Sequence, residues 1–591
     1  MKTLLQSLYK SAFTALFVCF SLAFSWPVAV DHPVNAFIKK MELKGLIDIQ
    51  GLNTLPLQSG VIQDALILLA KKSSQLAPLQ RKKLRYFLIE YGITKDPSLY
   101  PLRYKERYSK IKTSDAGSTR RSEQKSFSRD VKSIHFSGFY DLDYAQSDSN
   151  DAQYGTLWDI IGGQFEGQWG ENISYQAQAG VIRDYSSEAR FSDTYDPSLG
   201  LPYNTPDNRL GEGAVFTNAS QDAFRAIFSW TPDIFTLEFG QDWNQWGPGI
   251  EQHSGISSSG YLWLQDSLNN DQIIGPNNSL TDSSLYTPYW KGVRRGYFKP
   301  GQAPPMPQFR IRMDWGKVTY LQFAAQRQGL IHTPKAMLFG HRIEVKLHDW
   351  KLGIYELIST SREDNSWTYW TPLVPYFVAE HHTGDRDNTT LGLDVDYKII
   401  NNLRAYAELF LDDMLSPTEI HKNYWGNKYA LTIGFEWIDF FTWGNSFQLE
   451  YARVEPWLFS HVTADNQFQN HGFLIGSSLP PNSHQVFSSY TQNIFDILAI
   501  NLAYTWQQHQ LYDRGSSILD LHSEEFDSAT KVFLGEKPKT SHIVDASVVW
   551  APWYYSDFEA GLRYVNNSNQ GVLANQSSEI NTIWLKTSVR Y

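Results

Sequence analysis

Asp412 and Asp413 form the one adjacent carboxylate pair in a strand-like stretch, Leu409-Phe410-Leu411-Asp412-Asp413, and paired carboxylates are the working parts of glycoside hydrolysis. Neighbours on a strand point to opposite faces, however, so these two cannot flank one bond. The expected role is a lumenal ion pair with Arg342 or Arg453, because a charge in a confined space needs a partner or water. His461, His471 and His484, with His381 and His382, raise the question of a metal, but their spacing fits no compact ligand motif. Hydrogen bonding by separated histidines is the expectation, with no metal and no cofactor. The sequence holds no phosphate loop, nucleophile elbow or cysteine centre, which points away from an enzyme.

The other residues with chemical reach are aromatic. Trp243 and Trp246 flank polar side chains, Asp242 among them, in a segment that ends in Gly247-Pro248-Gly249, where the chain must reverse. Their rings have two roles open: stacking on the apolar face of a sugar, or locking the turn and sitting in an interfacial belt. Trp263, Trp290, Trp367, Trp370 and Trp425 lie in loop-like sequence, where a belt role is less natural and glycan contact is expected. The polar set expected to line an interior is Asp242, Arg342, Asp412, Asp413, Arg453, His461 and His471.

The elements that must position these residues follow from periodicity and charge. The chain has 591 residues, 15% aromatic and 19% charged, with a mean hydropathy of only -0.39. Lys2 and Lys10 precede an apolar run, Ala12 to Phe24, closed by small residues, which reads as an export signal over residues 1–25 cut before Trp26. That run is shorter than the ~20 residues of a spanning helix, and no later apolar run is longer. Cys19, the only cysteine, leaves with the signal, so no disulfide is expected.

From Asp31 to Asp130 there are 19 basic against 10 acidic residues; from Val131 onward there are 31 against 52. Such a change of sign marks a domain boundary. Within the basic part, Val34, Phe37, Ile38 and Met41, then Ile62, Ala65, Leu66 and Leu69, then Leu84, Phe87 and Leu88 recur at three- and four-residue steps. This spacing predicts two or three helices between Pro33 and Tyr91, in an N-terminal helical region over 26–108 on the periplasmic side. A basic, serine-rich linker follows over 109–132.

Beyond residue 133 the period becomes two. Phe136, Tyr140, Leu142 and Tyr144 alternate with Ser137, Asp141 and Asp143; Leu498, Ile500, Leu502, Tyr504 and Trp506 alternate with small or polar residues; Ile583, Leu585 and Val589 alternate with Thr582, Lys586 and Ser588. A soluble sandwich alternates too, but strands of ten residues or more with aromatic ends, finishing on Tyr591, fit a membrane barrel. At roughly 25 residues per strand and connection, residues 133–591 make about 18 strands. The expected fold class is an all-β transmembrane barrel of antiparallel strands with a small N-terminal α-helical domain.

Several segments carry a family resemblance. They are Gly240 to Gly249, Leu338 to Arg342, Leu409 to Asp413, Gly426 to Tyr429, Glu450 to His461, Asn470-His471-Gly472 and Leu479 to His484. In this order, after a helical N-terminal region, they resemble the Wzi-like capsule assembly family of outer-membrane proteins, over roughly His32 to Tyr591. The resemblance implies an 18-stranded barrel closed on its periplasmic side by helices, and lectin-like attachment of capsular polysaccharide. A departure is the Asn-, Ser-, Gly- and Pro-rich stretch 256–307, onto which no family ligand contact carries. Expected partners are capsular or other surface polysaccharide, outer-membrane lipid and periplasmic capsule-export proteins, in a monomer at the outer membrane of a Gram-negative bacterium. The acidic barrel argues against nucleic acid. Two rival functions remain in view: a sugar or oligosaccharide diffusion porin, and a secreted β-fold carbohydrate-active enzyme.

Overall fold

Alternation with period two gives each strand two unlike faces, and the only closed way to hide one while exposing the other to lipid is a barrel. The computed structural model shows one. It describes residues 26–30, 32–94, 132–149, 152–169, 172–184, 219–232, 234–256, 305–327, 336–362, 367–384, 386–413, 418–442, 444–470, 473–494, 497–510, 513–518, 520–553, 556–569 and 577–590.

In chain order the strands are β1 Thr54–Leu55, β2 Lys132–Ser149, β3 Ala152–Trp169, β4 Ile173–Asp184, β5 Ala219–Trp230, β6 Phe235–Asp242 and β7 Gln245–Trp246. Next come β8 Met306–Trp315, β9 Val318–Gln326, β10 Met337–Leu347, β11 Trp350–Thr360, β12 Asn388–Ile400, β13 Leu403–Asp413, β14 Lys428–Ile438 and β15 Asn445–Val454. The last are β16 Gln469–Asn470, β17 Phe473–Leu474, β18 Ser483–Asn493, β19 Leu498–His509, β20 Lys539–Trp553, β21 Ser556–Ser568 and β22 Ser577–Arg590. Leaving out the four two-residue strands, 18 strands close into an antiparallel barrel, each beside its sequence neighbour, sealed where Tyr140 of β2 faces Val589 of β22. The strand number, antiparallel order and absence of a helix long and apolar enough to cross a membrane, among the described residues, agree with the sequence expectation.

The faces sort as the alternation demands. Leu352 and Ile354, Leu502 and Tyr504, and Ile583 and Leu585 point outward and are exposed, while Lys351, Tyr355, Thr582 and Lys586 point inward and are buried. One end of the barrel has short turns, such as Gly316-Lys317 and Asn401-Asn402, and carries both ends of the barrel chain. Trp169, Trp230, Trp315, Trp350, Trp437 and Trp550 all lie at or near that end of their strands with outward, exposed rings. Six indoles at one level form an interfacial girdle. The opposite end carries the long connections.

The N-terminal region forms helices α1 Pro33–Leu43, α2 Ser59–Lys71 and α3 Pro78–Glu90. Proline sits at the first position of α1 and of α3, where its missing N–H costs nothing, and His32 Nδ1 accepts the Val34 N–H at 3.2 Å. The predicted stripes meet in one core: Val34, Ile38, Ile62, Leu66, Leu69, Leu84 and Phe87 are buried together. The unit docks at the short-turn end. Leu43 O accepts the Asn402 N–H at 2.9 Å, Lys44 pairs with Asp439, and Lys82 Nζ donates to Ala551 O at 2.9 Å.

Inward aromatic rings need room on the neighbouring strand. The Tyr355 ring of β11 lies across Gly392 of β12, where an added Cβ would fall 1.9 Å from Tyr355 Cζ. Gly392→Val should therefore overpack this contact, costing ~1–3 kcal/mol and lowering the temperature at which the barrel unfolds. In heat-modifiable gel migration, the Gly392→Val/Tyr355→Ala double variant should unfold where Tyr355→Ala alone does.

Candidate functional site

An 18-stranded barrel is too wide for its wall side chains to fill, so something else must occupy the lumen. Two segments do so, one from each end. Behind α1, residues 46–58 run inward from the short-turn end. The 243–256 connection after β6 turns inward from the long-loop end. They meet as a two-stranded sheet, Thr54 opposite Trp246 and Leu55 opposite Gln245, reinforced by Gly247 N–H to Asn53 O at 2.9 Å. The helical region was expected to obstruct the inner mouth; the chain behind α1 reaches well past it, into the barrel.

Wall charges hold both segments. Arg342 grips Asp394 through both terminal nitrogens, at 2.5 and 3.0 Å, and turns Nε to Thr54 Oγ1 at 2.7 Å. Arg312 Nη1 donates to Thr54 O at 2.7 Å and Pro56 O at 3.0 Å. Glu42 of α1 takes Lys346 and Lys351, each at 2.7 Å. At the root of the loop, Arg310 binds Asp242 at 2.8 Å and Asn244 at 2.8 Å and also pairs with Glu238; Asp242 takes Arg225 at 2.6 Å.

The loop itself is held differently, by carboxylates that accept its backbone. Glu450 receives Ile250 N–H at 2.9 Å, Gln252 N–H at 2.8 Å and the Tyr406 hydroxyl at 2.7 Å. Glu408 receives the Tyr355 hydroxyl at 2.7 Å and Gly255 N–H at 3.3 Å. Gly247 takes a left-handed φ of 98° hard against Glu408, where a Cβ would lie 2.6 Å from Oε2, so the Trp-Gly-Pro-Gly turn needs its first glycine.

These placements correct two expectations. Neither Asp412 nor Asp413 pairs with Arg342 or Arg453. Asp412 instead accepts the Phe459 N–H at 2.9 Å, Asp413 lies 3.9 Å from Lys428, and Arg453 pairs with Glu455 at 2.6 Å. The wall offered Arg342 a closer carboxylate, directly across two strands. Trp246 is fully buried, its ring edge-on to Phe323 and Tyr355 at 5.4 and 5.5 Å, and Trp243 is buried as well. In this conformation neither ring offers a face to sugar or lipid, so locking the turn is their role.

The long-loop rim is where exposed aromatic and charged groups gather. Trp425 stacks on His522 with ring centres 3.7 Å apart and planes 4° from parallel, and Trp457 meets the same imidazole edge-on at 5.2 Å. Arg514 sits 5.7 Å over Trp457, paired to Asp527 at 2.5 and 2.8 Å. Asp520 ties the loop by accepting the Gly515, Ser516 and Ser517 N–H groups, and Phe526 stands exposed beside it. Sequence reasoning singled out Trp425 but missed His522, Trp457 and Arg514. No local spacing links residues a hundred positions apart.

Of the other candidates, Trp367 is exposed on helix α4 Trp367–Trp370, and Trp370 packs on Phe339 at 5.6 Å. His461 Nδ1 accepts the Thr463 N–H at 3.0 Å, and His484 bonds Gln508 at 2.9 Å. His381 and His382 are exposed on helix α5 Tyr376–Thr383. No group of three metal-ligating side chains occurs among the described residues. Trp263, Trp290 and His471, like the signal and linker segments, lie outside the described residues.

No family model matches this chain, and no curated protein does. Among solved structures it is similar to Wzi of Escherichia coli, described as an outer-membrane protein involved in group 1 capsule assembly and a carbohydrate-binding β-barrel. The identity is 12% and the TM-score 0.49, over 95% of this chain and 99% of that one. It is also similar to OccK8 (OprE) of Pseudomonas aeruginosa, at 9% identity and TM-score 0.41 over 78% and 98%, and to OprD, at 9% and 0.39 over 77% and 95%.

Two outcomes follow from the plug. Glu450→Ala leaves the Ile250, Glu251 and Gln252 N–H groups without their acceptor, a loss of ~1–3 kcal/mol each when buried. Protease cleavage within 243–256 should then appear in the variant and not in the parent. The second concerns Lys39, which donates to Pro248 O at 3.2 Å. Removal from water, then Arg404, lowers its ammonium from 10.5 to about 7. Above pH 7 the docked chain therefore holds fewer protons than the undocked one, and docking should tighten from pH 7 towards 10. Protease protection of the loop should rise over that range, and Lys39→Met should flatten the rise.

Proposed function

We propose that this protein is a non-enzymatic barrel of the Gram-negative outer membrane that binds capsular or other surface polysaccharide at its outer mouth. The observation that carries the reading is the rim cluster in which half-buried Trp425 and His522 and exposed Arg514 stand over the buried Trp457, above a lumen whose described residues pack a plug from both ends. Aromatic rings bind the apolar face of a pyranose, and paired side chains such as Arg514 and Asp527 offer donors and acceptors to its hydroxyls. The motif series from Gly240 to His484 supports the same reading through its family resemblance. Trp263 and Trp290 remain candidate contacts, and the short-turn end, where the basic helices sit, is the surface for periplasmic capsule-export proteins. The protein acts as a monomer in this account.

A diffusion porin for sugars or oligosaccharides is the second reading, favoured by the plug's two-part construction, since a hinged loop can open. Conductance separates the two. The binder should stay closed in planar bilayers and bind oligosaccharide in detergent; a steadily conducting parent protein would support the porin. Trp425→Ala and His522→Ala should each weaken glycan binding by about tenfold, the ~1.4 kcal/mol of one good contact, without changing heat-modifiable migration. Unchanged affinity in both variants would remove the rim from the account.

A further inference from the structure

Inward and outward residues alternate along β9, β10 and β11, and the inward set is anchored by Arg342 and Tyr355, which face each other across the β10–β11 pair. His341, Glu356, Gln322 and Tyr320 must then point outward, toward lipid. Four polar side chains on a lipid-facing wall are costly unless something covers them. The connection between β11 and β12 does so. It leaves the barrel at the long-loop rim and folds back down over the outer wall as a helical hairpin of α4 and α5.

All four meet it. His341 Nε2 pairs with Glu356 at 2.8 Å, and Glu356 also accepts the Tyr376 N–H at 2.8 Å. The Tyr376 ring packs on His341 at 4.3 Å. Gln322 donates to Tyr369 O at 3.3 Å, and the Tyr320 hydroxyl accepts the Leu373 N–H at 3.2 Å. Between these bonds, Phe339, Ala324 and Ile358 of the wall and Tyr369, Tyr376 and Ala379 of the hairpin bury one another.

Height decides what lies on the other side. Glu356 is six positions up β11 from Trp350 of the girdle. At ~3.3 Å per residue and a tilt of ~40° this is about 15 Å, inside the ~25 Å apolar band of such barrels. The face of the hairpin turned away from the wall exposes Trp367 (85%), Leu373 (61%), Phe377 (60%) and Val378 (47%). It continues the exposed apolar band of Leu352, Ile354 and Leu393.

We propose that the hairpin of α4 and α5, residues 367–384, is a membrane-seated clasp, bonded to the outer wall on its polar side and bathed by acyl chains of the outer leaflet on its apolar side. The occupant is lipid hydrocarbon because exposed Leu373, Phe377 and Val378 continue the lipid-facing band, with exposed His381 and His382 confined to the last turn of α5. This inference rests on the barrel alone and stands whether or not the rim binds polysaccharide.

Cys19 is the only cysteine, so with Cys19→Ser a single introduced thiol labels cleanly. Phe377→Cys and, separately, Val378→Cys would carry an environment-sensitive fluorophore in phosphatidylcholine vesicles. Leu352→Cys serves as the lipid reference and Glu524→Cys as the water reference; only variants with parental heat-modifiable migration are read. Labels at 377 and 378 should match Leu352, losing at least half their emission to doxyl-labelled lipid and resisting iodide. Labels that match Glu524 would overturn the proposal. Resistance to both quenchers, together with a disulfide between 377 thiols of two molecules, would overturn it in favour of a second copy.

Discussion

A charge that points into a confined lumen must find a partner, and in this barrel that requirement organises everything inside the wall. The strands alternate, so closing the sheet drives Arg225, Arg310, Arg312, Arg342, Lys346, Lys351 and Arg404 inward together with their carboxylates. The wall itself satisfies part of the demand: Arg342 with Asp394 two strands away, Arg404 with Glu436 of the next strand at 3.0 Å. The rest is met only by bringing chain into the lumen. Carbonyls of Thr54 and Pro56, the Thr54 hydroxyl and Glu42 are acceptors supplied by the N-terminal region. The plug is what lets the wall carry that much charge.

The same logic divides the aromatic residues into three populations. Rings at the short-turn end sit in the girdle, where an indole has apolar contact on one side and water on the other. Inward rings such as Tyr355 and Tyr406 lie over glycines of the next strand and hand their hydroxyls to Glu408 and Glu450, so they join the wall to the loop. Rings at the long-loop rim, Trp425 and Trp457 first among them, touch histidine and arginine. Among them half-buried Trp425 stacks on His522, while Trp457 lies buried beneath the exposed Arg514.

Much of the architecture was legible in the sequence because it is written in short-range patterns. Period two marked the strands, chain length set their number near 18, and the stripes from Val34 to Phe87 marked two or three helices, of which the structure forms three. What could not be read depends on register. Asp394, rather than Asp412 or Asp413, meets Arg342 because it lies two strands away on the same inward row, a relation with no trace in local spacing. Trp246 looked like a surface ring because its turn is polar; its burial follows from a loop that folds inward against Phe323. The outer clasp was hidden for a further reason: Glu356 and His341 read as ordinary members of alternating strands, and only pairing shows that they face lipid.

The two halves of the plug differ in how they could yield. The N-terminal half is held by ion pairs and by guanidinium groups, and separating a buried pair leaves both charges uncompensated, at ~3–5 kcal/mol for each pair broken. The two Glu42 pairs and the Lys44–Asp439 pair together put withdrawal at roughly 9–15 kcal/mol, before the bonds from Arg312 and Arg342 to Thr54 and Pro56 are counted. The 243–256 loop is held mainly by backbone N–H groups on Glu450 and Glu408, and each net contribution is nearer ~1.5–3 kcal/mol because the carboxylate keeps its tyrosine partner. Any opening of this barrel therefore begins at the outer loop, on the side where the rim cluster lies, and leaves the inner half in place.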